Sequence, residues 1–141
     1  MAKAGATVDQ LRAVKLFEAL TRKELKLLSE HSREEWFNAG DNIVTADDSG
    51  GRLYVLTEGI AKVVVNGRAR RTLGPGDYFG EMSLIDNSPR AATVRADTQV
   101  KTLWIGRLAF LSLLEEHWPM ARKVLADLCA RVRLGDGSDT H

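Results

Sequence analysis

The period of the apolar positions changes twice along the chain. Across Thr7–Ser32, Leu11, Val14, Phe17 and Leu20, and then Leu25, Leu27 and Leu28, recur at helical spacings. Thr21 followed by Glu24 fits a capping box, in which a hydroxyl and a carboxylate three residues apart satisfy each other's backbone donors. The segment is predicted to be two short helices broken near Ala19–Thr21. Across Glu34–Ile105 the pattern shortens to runs of Val, Ile, Tyr and Thr divided by Gly, Asp and Asn. Strands are expected at Glu35–Phe37, Asn42–Thr45, Leu53–Thr57, Ala61–Val65, Arg70–Leu73, Tyr78–Phe79, Ala92–Ala96 and Gln99–Trp104. From Gly106 to Leu134 the helical period returns. Leu108, Phe110, Leu111 and Leu114 fit one helix, Trp118-Pro119 is a break, and Pro119 suits the first turn of the next helix. There Met120, Val124, Leu128 and Val132 fall at four-residue steps with Leu125 alongside, a stripe expected to be core or partner contact.

The turn chemistry sharpens the fold class. Asn66-Gly67 is the pair a two-residue hairpin turn wants, because both central positions need positive φ. Asn38-Ala39-Gly40-Asp41, the Asp47–Gly51 run and Gly74-Pro75-Gly76-Asp77 separate other strands. Many short strands with frequent turns indicate a sandwich or small barrel, and a jelly roll is one such solution. The chain is expected to be one domain over residues 1–134, followed by a flexible polar tail over 135–141.

Composition narrows the chemistry by exclusion. Twenty Lys and Arg face 19 Asp and Glu in 141 residues, a net charge of +1. That balance gives no overall electrostatic footprint for DNA or RNA. Cys129 is the single cysteine, which excludes an intramolecular disulfide and a Cys-rich zinc site. The longest run without Asp, Glu, Lys or Arg, Leu108–Leu114, is far too short to span a membrane, and the N-terminus lacks the apolar core of a secretory signal. A cytoplasmic location is expected. His31, His117 and His141 are scattered and form no strand-borne metal cluster. Cys129 beside the helical stripe is expected to be a buried structural thiol. Trp36, Trp104 and Trp118 are expected in core or interface, and Arg68-Ala69-Arg70-Arg71 as a solvated hairpin rim. Ser83 has no His–Asp relay near it in sequence, so no nucleophile is assigned.

The chemistry concentrates in Phe79–Val94. Gly80 permits close approach of the backbone to a ligand. Glu81–Ile85 is long enough for one helical turn, whose first N–H groups have no partner inside the turn and suit an anion. Arg90 follows Pro89, and a guanidinium can grip two phosphate oxygens at once. Glu81 can accept from a sugar hydroxyl. Backbone donors, a cation and a carboxylate together suit a phosphorylated sugar. A surface turn in which Glu81 pairs with Arg90 satisfies the same residues.

Phe79-Gly80-Glu81-Met82-Ser83-Leu84, with Pro89-Arg90-Ala91-Ala92-Thr93-Val94 after a short gap, closely resembles the phosphate-binding cassette of the cyclic nucleotide-binding domain family. The similarity extends to Val14-Lys15-Leu16-Phe17 with Leu20 and Glu24-Leu25, to Phe37-x-x-Gly40-Asp41-x-Ile43, to Leu53–Gly59 and to Gly74–Gly80, and so runs from about Val14 to Leu134. The resemblance implies an α+β, mainly β fold: an eight-stranded double-sheet β jelly roll with N-terminal helices and two C-terminal helices. By the same resemblance Glu81 accepts from the ribose 2′-hydroxyl and Arg90 pairs the exocyclic oxygens of the cyclic phosphate. Backbone N–H groups of Gly80, Ser83 and Ala91 complete the cradle, with Met82 and Ala92 next to it. Val63 and Leu73 wall the base, and Arg131, Arg133 or Leu134 caps it.

In that family a hydroxyl directly after the cassette arginine tends to favour guanine. Here that position is Ala91, so the expected ligand is cAMP over cGMP, with no other cofactor. Asn87 where many members have Gly, and Met82 where Leu or Ile is commoner, leave the pattern intact. The implied function is a sensor module rather than an enzyme, in which binding moves Ala109–Leu134 about a hinge near Trp118-Pro119. The chain ends soon after Leu134, so no helix-turn-helix domain and no direct DNA binding are expected. A free-standing sensor acting on an effector protein, a ligand-binding domain excised from a channel or enzyme, and a ligand-independent interaction module are the readings of its output. A homodimer through the Met120–Val132 stripe is a further expectation.

Overall fold

The computed structural model describes residues 3–4, 8–47, 51–80, 90 and 92–133. Strand β1 (Lys3–Ala4) precedes helix α1 (Val8–Arg12), a 3-10 turn at Lys15–Phe17 and helix α2 (Arg22–Glu30). Strands β2 (Ser32–Phe37), β3 (Asn42–Val44), β4 (Arg52–Glu58), β5 (Ala61–Val65), β6 (Arg68–Leu73), β7 (Tyr78–Phe79), β8 (Thr93–Ala96) and β9 (Val100–Gly106) follow. Helices α3 (Arg107–Glu116) and α4 (Trp118–Arg133) come last. The eight expected strands are all present, with β1 as a short addition.

The strands form two antiparallel sheets, ordered β1-β2-β9-β4-β7 and β3-β8-β5-β6, in a jelly roll. Two apolar clusters divide the interior. One, with Tyr54, Leu56, Val63, Leu73, Phe79, Val94 and Val100, fills the space between the sheets. The other packs Leu53, Val55, Tyr78, Leu103 and Ile105 against Phe17, Leu25, Leu28, Phe110, Met120 and Val124 of the helices. The five-stranded sheet is therefore covered on both faces. That is why β4 reads Leu-Tyr-Val-Leu without alternation: Leu53, Tyr54, Val55 and Leu56 are all buried. The turns follow their chemistry. Asn66 and Gly67 take φ of 51° and 77° between β5 and β6, the double positive that the hairpin requires.

The helices depart from the sequence reading in three ways. The N-terminal pair is joined through the added 3-10 turn at Lys15–Phe17. On α3 the covered face is Phe110 and Leu113, while Leu108 is 78% exposed. On α4, Met120, Ala121 and Val124 are buried, but Leu125 is exposed and so is Cys129, which corrects the expected buried thiol. The helix is docked by one edge of its stripe only. Trp36 and Trp118 also lie exposed rather than in the core. The tail over 135–141 lies outside the described residues, as does Leu134.

Helix α2 begins with the expected capping box. Thr21 Oγ1 accepts from the Glu24 backbone N–H at 3.1 Å, and Glu24 Oε1 accepts from the Thr21 N–H at 2.8 Å. The same Oε1 accepts from Lys123 Nζ of α4 at 2.8 Å. One carboxylate thus starts α2 and ties it to α4. Burial pushes this carboxyl up, but the hydrogen bonds from Lys123 and the Thr21 backbone and the charge of Lys123 outweigh it, so its pKa lies below the ordinary value. A carboxylate lowered on folding contributes stability above its ordinary pKa of 4.5 and loses it as pH falls through the folded value. Glu24→Ala is expected to cost about 1–2 kcal/mol in urea denaturation at neutral pH. Wild type should lose more thermal stability on acidification than Glu24→Gln; parallel acid profiles for the two would remove the ion pair from the account.

Candidate functional site

The candidate site lies where β7 runs out into the cassette. Tyr54 on β4 and Phe79 on β7 are register partners, and their rings stack at 5.1 Å with an interplanar angle of 11°. This pair fixes the backbone that leads into Gly80. Gly80 has φ of +95°, and a Cβ there would collide with the Arg90 guanidinium and the Arg52 carbonyl oxygen. Only glycine combines that backbone with that proximity.

Arg90 fills the space so left. It is 3% exposed, among the few buried charged or polar residues of the described chain. Its Nη2 donates to the Arg52 carbonyl oxygen at 2.8 Å, and its Cζ lies 5.9 Å from the centroid of the Tyr54 ring. Its own carbonyl accepts from the Asp47 N–H at 2.8 Å. Three residues on, Thr93 Oγ1 accepts from the Ala46 N–H at 2.9 Å, which staples this stretch to the segment after β3. Burying a guanidinium carries a large desolvation cost. Here both its backbone and its side chain are held, so a cation stands ready at a fixed place.

Arg52 holds the site from the other side. Its carbonyl faces Arg90, while its side chain turns away: Cζ sits 3.7 Å from the Trp104 ring centroid, and Nη1 lies 3.4 Å from Glu35 Oε1 and 3.3 Å from the Tyr54 hydroxyl. Neither Arg52 nor Tyr54 was identified from sequence. A carbonyl contact carries no side-chain signature, and Tyr54 is indistinguishable in sequence from the core residues beside it.

Among the sequence-predicted residues, Gly80 and Arg90 are brought into contact. Val63, Leu73 and Ala92 are buried in the cluster that holds Tyr54 and Phe79. Arg131 lies on α4. Glu81, Met82, Ser83 and Ala91 lie outside the described residues. The register adds one residue. Val63 pairs with Arg71 and Ala61 with Leu73, so Arg71 shares the inward face of β6 with Leu73, and it is half-buried. The expectation of a fully solvated rim at Arg68–Arg71 is corrected at that position. Among the described residues no group of His, Cys, Asp and Glu is placed to hold a metal ion, and no helix is long and apolar enough to cross a membrane.

Comparison with known proteins places the chain in a family. The family profile described as cyclic nucleotide-binding domain matches residues 34–117. A cGMP-dependent protein kinase of Toxoplasma gondii is 41% identical over 97 residues, 69% of this chain and 10% of that protein. A cAMP-dependent protein kinase type II regulatory subunit of Drosophila melanogaster is 31% identical over 121 residues, 86% of this chain and 32% of that protein. The chain thus spans a tenth to a third of the length of these relatives. Among solved structures, the N-terminal domain of a transcriptional regulator from Streptomyces coelicolor superposes with a TM-score of 0.77 at 33% identity, covering 92% of this chain and 94% of that one. The regulatory domain of Toxoplasma gondii PKA with cAMP superposes at 0.71 and 29% identity, over 77% of this chain and 44% of that one.

Gly80→Ala is expected to destabilise the fold by about 2 kcal/mol, from the positive φ and the fixed carbonyl of Arg52. Urea denaturation measures it; a midpoint unchanged from wild type would mean that the approach to Arg90 is not tight.

Proposed function

The chain belongs to the cyclic nucleotide-binding domain family, and from that premise we propose that it is a regulatory sensor that takes cAMP in preference to cGMP and passes binding on through its C-terminal helices. The observation that carries this reading is the buried guanidinium of Arg90, set under Gly80 and held by the Arg52 carbonyl. In this reading Arg90 grips the exocyclic phosphate oxygens, a geometry a guanidinium fork matches. Glu81 accepts from the ribose 2′-hydroxyl. Backbone N–H groups of Gly80, Ser83 and Ala91 complete the cradle, Met82 and Ala92 flank it, and Val63 and Leu73 wall the base. Arg131 is one of three candidates, with Arg133 and Leu134, to cap it.

Domains of this family are typically regulatory and non-catalytic, so the output is motion. Tyr78, directly ahead of Phe79 and Gly80, donates to Asp127 Oδ2 of α4 at 3.4 Å. Lys123, one turn earlier on α4, holds Glu24 of α2. A displacement at the cassette therefore reaches α4 through one residue. The ligand shifts the helices only by as much as it binds the shifted state more tightly. The effector is a partner protein or a fused domain, as in the longer kinases that this chain matches in part.

A second reading concerns the base. Arg71 shares the inward face with Val63 and Leu73, and an arginine can address guanine O6 and N7 together. That placement favours cGMP, whereas the missing hydroxyl at Ala91 favours cAMP. Either effect is one interaction of about 0.5–1.5 kcal/mol.

Calorimetry tests both levels. Arg90→Ala is expected to weaken cyclic nucleotide binding by roughly thirty- to several-thousand-fold, as for truncation of one member of a buried charged pair. Equal affinity in that variant would exclude Arg90 from the site. Competition between the two nucleotides is expected to favour cAMP in wild type and in Arg71→Ala alike. A cGMP preference that disappears in Arg71→Ala would establish the guanine reading instead.

A further inference from the structure

The charges of the molecule are unevenly placed. The chain as a whole is almost balanced, yet the four strands of the β3-β8-β5-β6 sheet carry Lys62, Arg68, Arg70, Arg71 and Arg95 and no Asp or Glu. Among the described residues the ion pairs all lie elsewhere: Lys101 with Glu34 and Glu58, Arg52 with Glu35, Lys15 with Asp77 and Lys123 with Glu24. The other sheet pairs Lys101 and Arg52 with carboxylates, whereas among the described residues these five form no ion pair.

On the outer face the register runs Asn42, Arg95, Lys62, Thr72 across all four strands. Lys62 and Arg95 are direct cross-strand partners of like sign, an arrangement that destabilises a sheet. Each is steadied by a neutral neighbour: Lys62 Nζ donates to Thr72 Oγ1 at 3.0 Å and Arg95 Nε to Asn42 Oδ1 at 3.4 Å. Among the described residues the two cations are thus oriented without being neutralised. Among the described residues β6 also hydrogen-bonds to β5 alone, so the sheet ends in an open edge that carries Arg68 and Arg70.

We propose that this outer face, centred on Lys62 and Arg95 and bordered by Arg70 at the open edge, docks an acidic segment of a partner protein. Charge complementarity selects the class of occupant. The four strands hold no aromatic residue for stacking a base. The few cations of this flat face fall short of the phosphate contacts on which nucleic-acid affinity rests. None of the exposed large apolar residues lies on this sheet, so nothing enters a bilayer. A carboxylate, by contrast, can lie between Lys62 and Arg95 and remove the like-charge repulsion as it binds.

The test uses the full chain and a fluorescent oligoglutamate peptide, with oligoglutamine of equal length as control. Anisotropy at low ionic strength is expected to show saturable binding of oligoglutamate alone. The variant Lys62→Gln with Arg95→Gln should weaken it by roughly tenfold, with cyclic nucleotide affinity unchanged. Lys62→Glu, which places opposite charges across the strands, should raise the thermal midpoint while abolishing peptide binding. The proposal is overturned if the double variant binds the peptide as wild type does, if wild type does not bind it, or if duplex DNA binds more tightly at the same salt.

Discussion

A guanidinium kept out of water is the constraint around which the site is organised. Burying Arg90 is costly, and backbone groups meet part of that cost. The Arg52 carbonyl faces the guanidinium, Gly80 gives up its Cβ to make room, and Asp47 holds the arginine's own carbonyl. The stacked Tyr54 and Phe79 rings then fix the strand pair from which both carbonyl and glycine project. Site and fold are therefore one problem, because the residues that place the cation also close the interior between the sheets.

The five-stranded sheet gives that interior a second side. Its strands bury one face against the other sheet and one against the helices. Helix α4 buries Met120, Ala121 and Val124, and is pinned at Glu24 and Tyr78 by Lys123 and Asp127. Such a helix is fastened by a few polar contacts and a narrow apolar seam, with Leu125 and Trp118 left in solvent. Polar contacts of this kind exchange readily for water.

Much of this was legible in the sequence for identifiable reasons. Turn chemistry placed the Asn66-Gly67 hairpin, the capping box placed the start of α2, and Pro119 marked the start of α4. The eight strands followed from β-rich runs between such turns. What the sequence concealed was which of two apolar faces a helix turns inward. Leu108, Leu125 and Cys129 sit on helical spacings beside Phe110 and Val124, which the same periodicity also offered, and only packing selects among them and brings in Leu113. At the site, Gly80 and Arg90 were identified because their chemistry resides in side chains or in the lack of one. Arg52 was missed because its contribution is a carbonyl, which every residue has. Arg71 was read as rim because its inward direction depends on strand register, a property of pairing rather than of residue type.

Strand β7 is only two residues long, and its members belong to different compartments. Tyr78 packs among the helices and Phe79 between the sheets. Adding or deleting a single residue in the connection before it would exchange the two, sending a phenol into the apolar sandwich and a bare phenyl toward Asp127. The Gly74–Asp77 connection is therefore constrained in length as well as by its turn residues, and its spacing acts as a reading frame for the strand that follows.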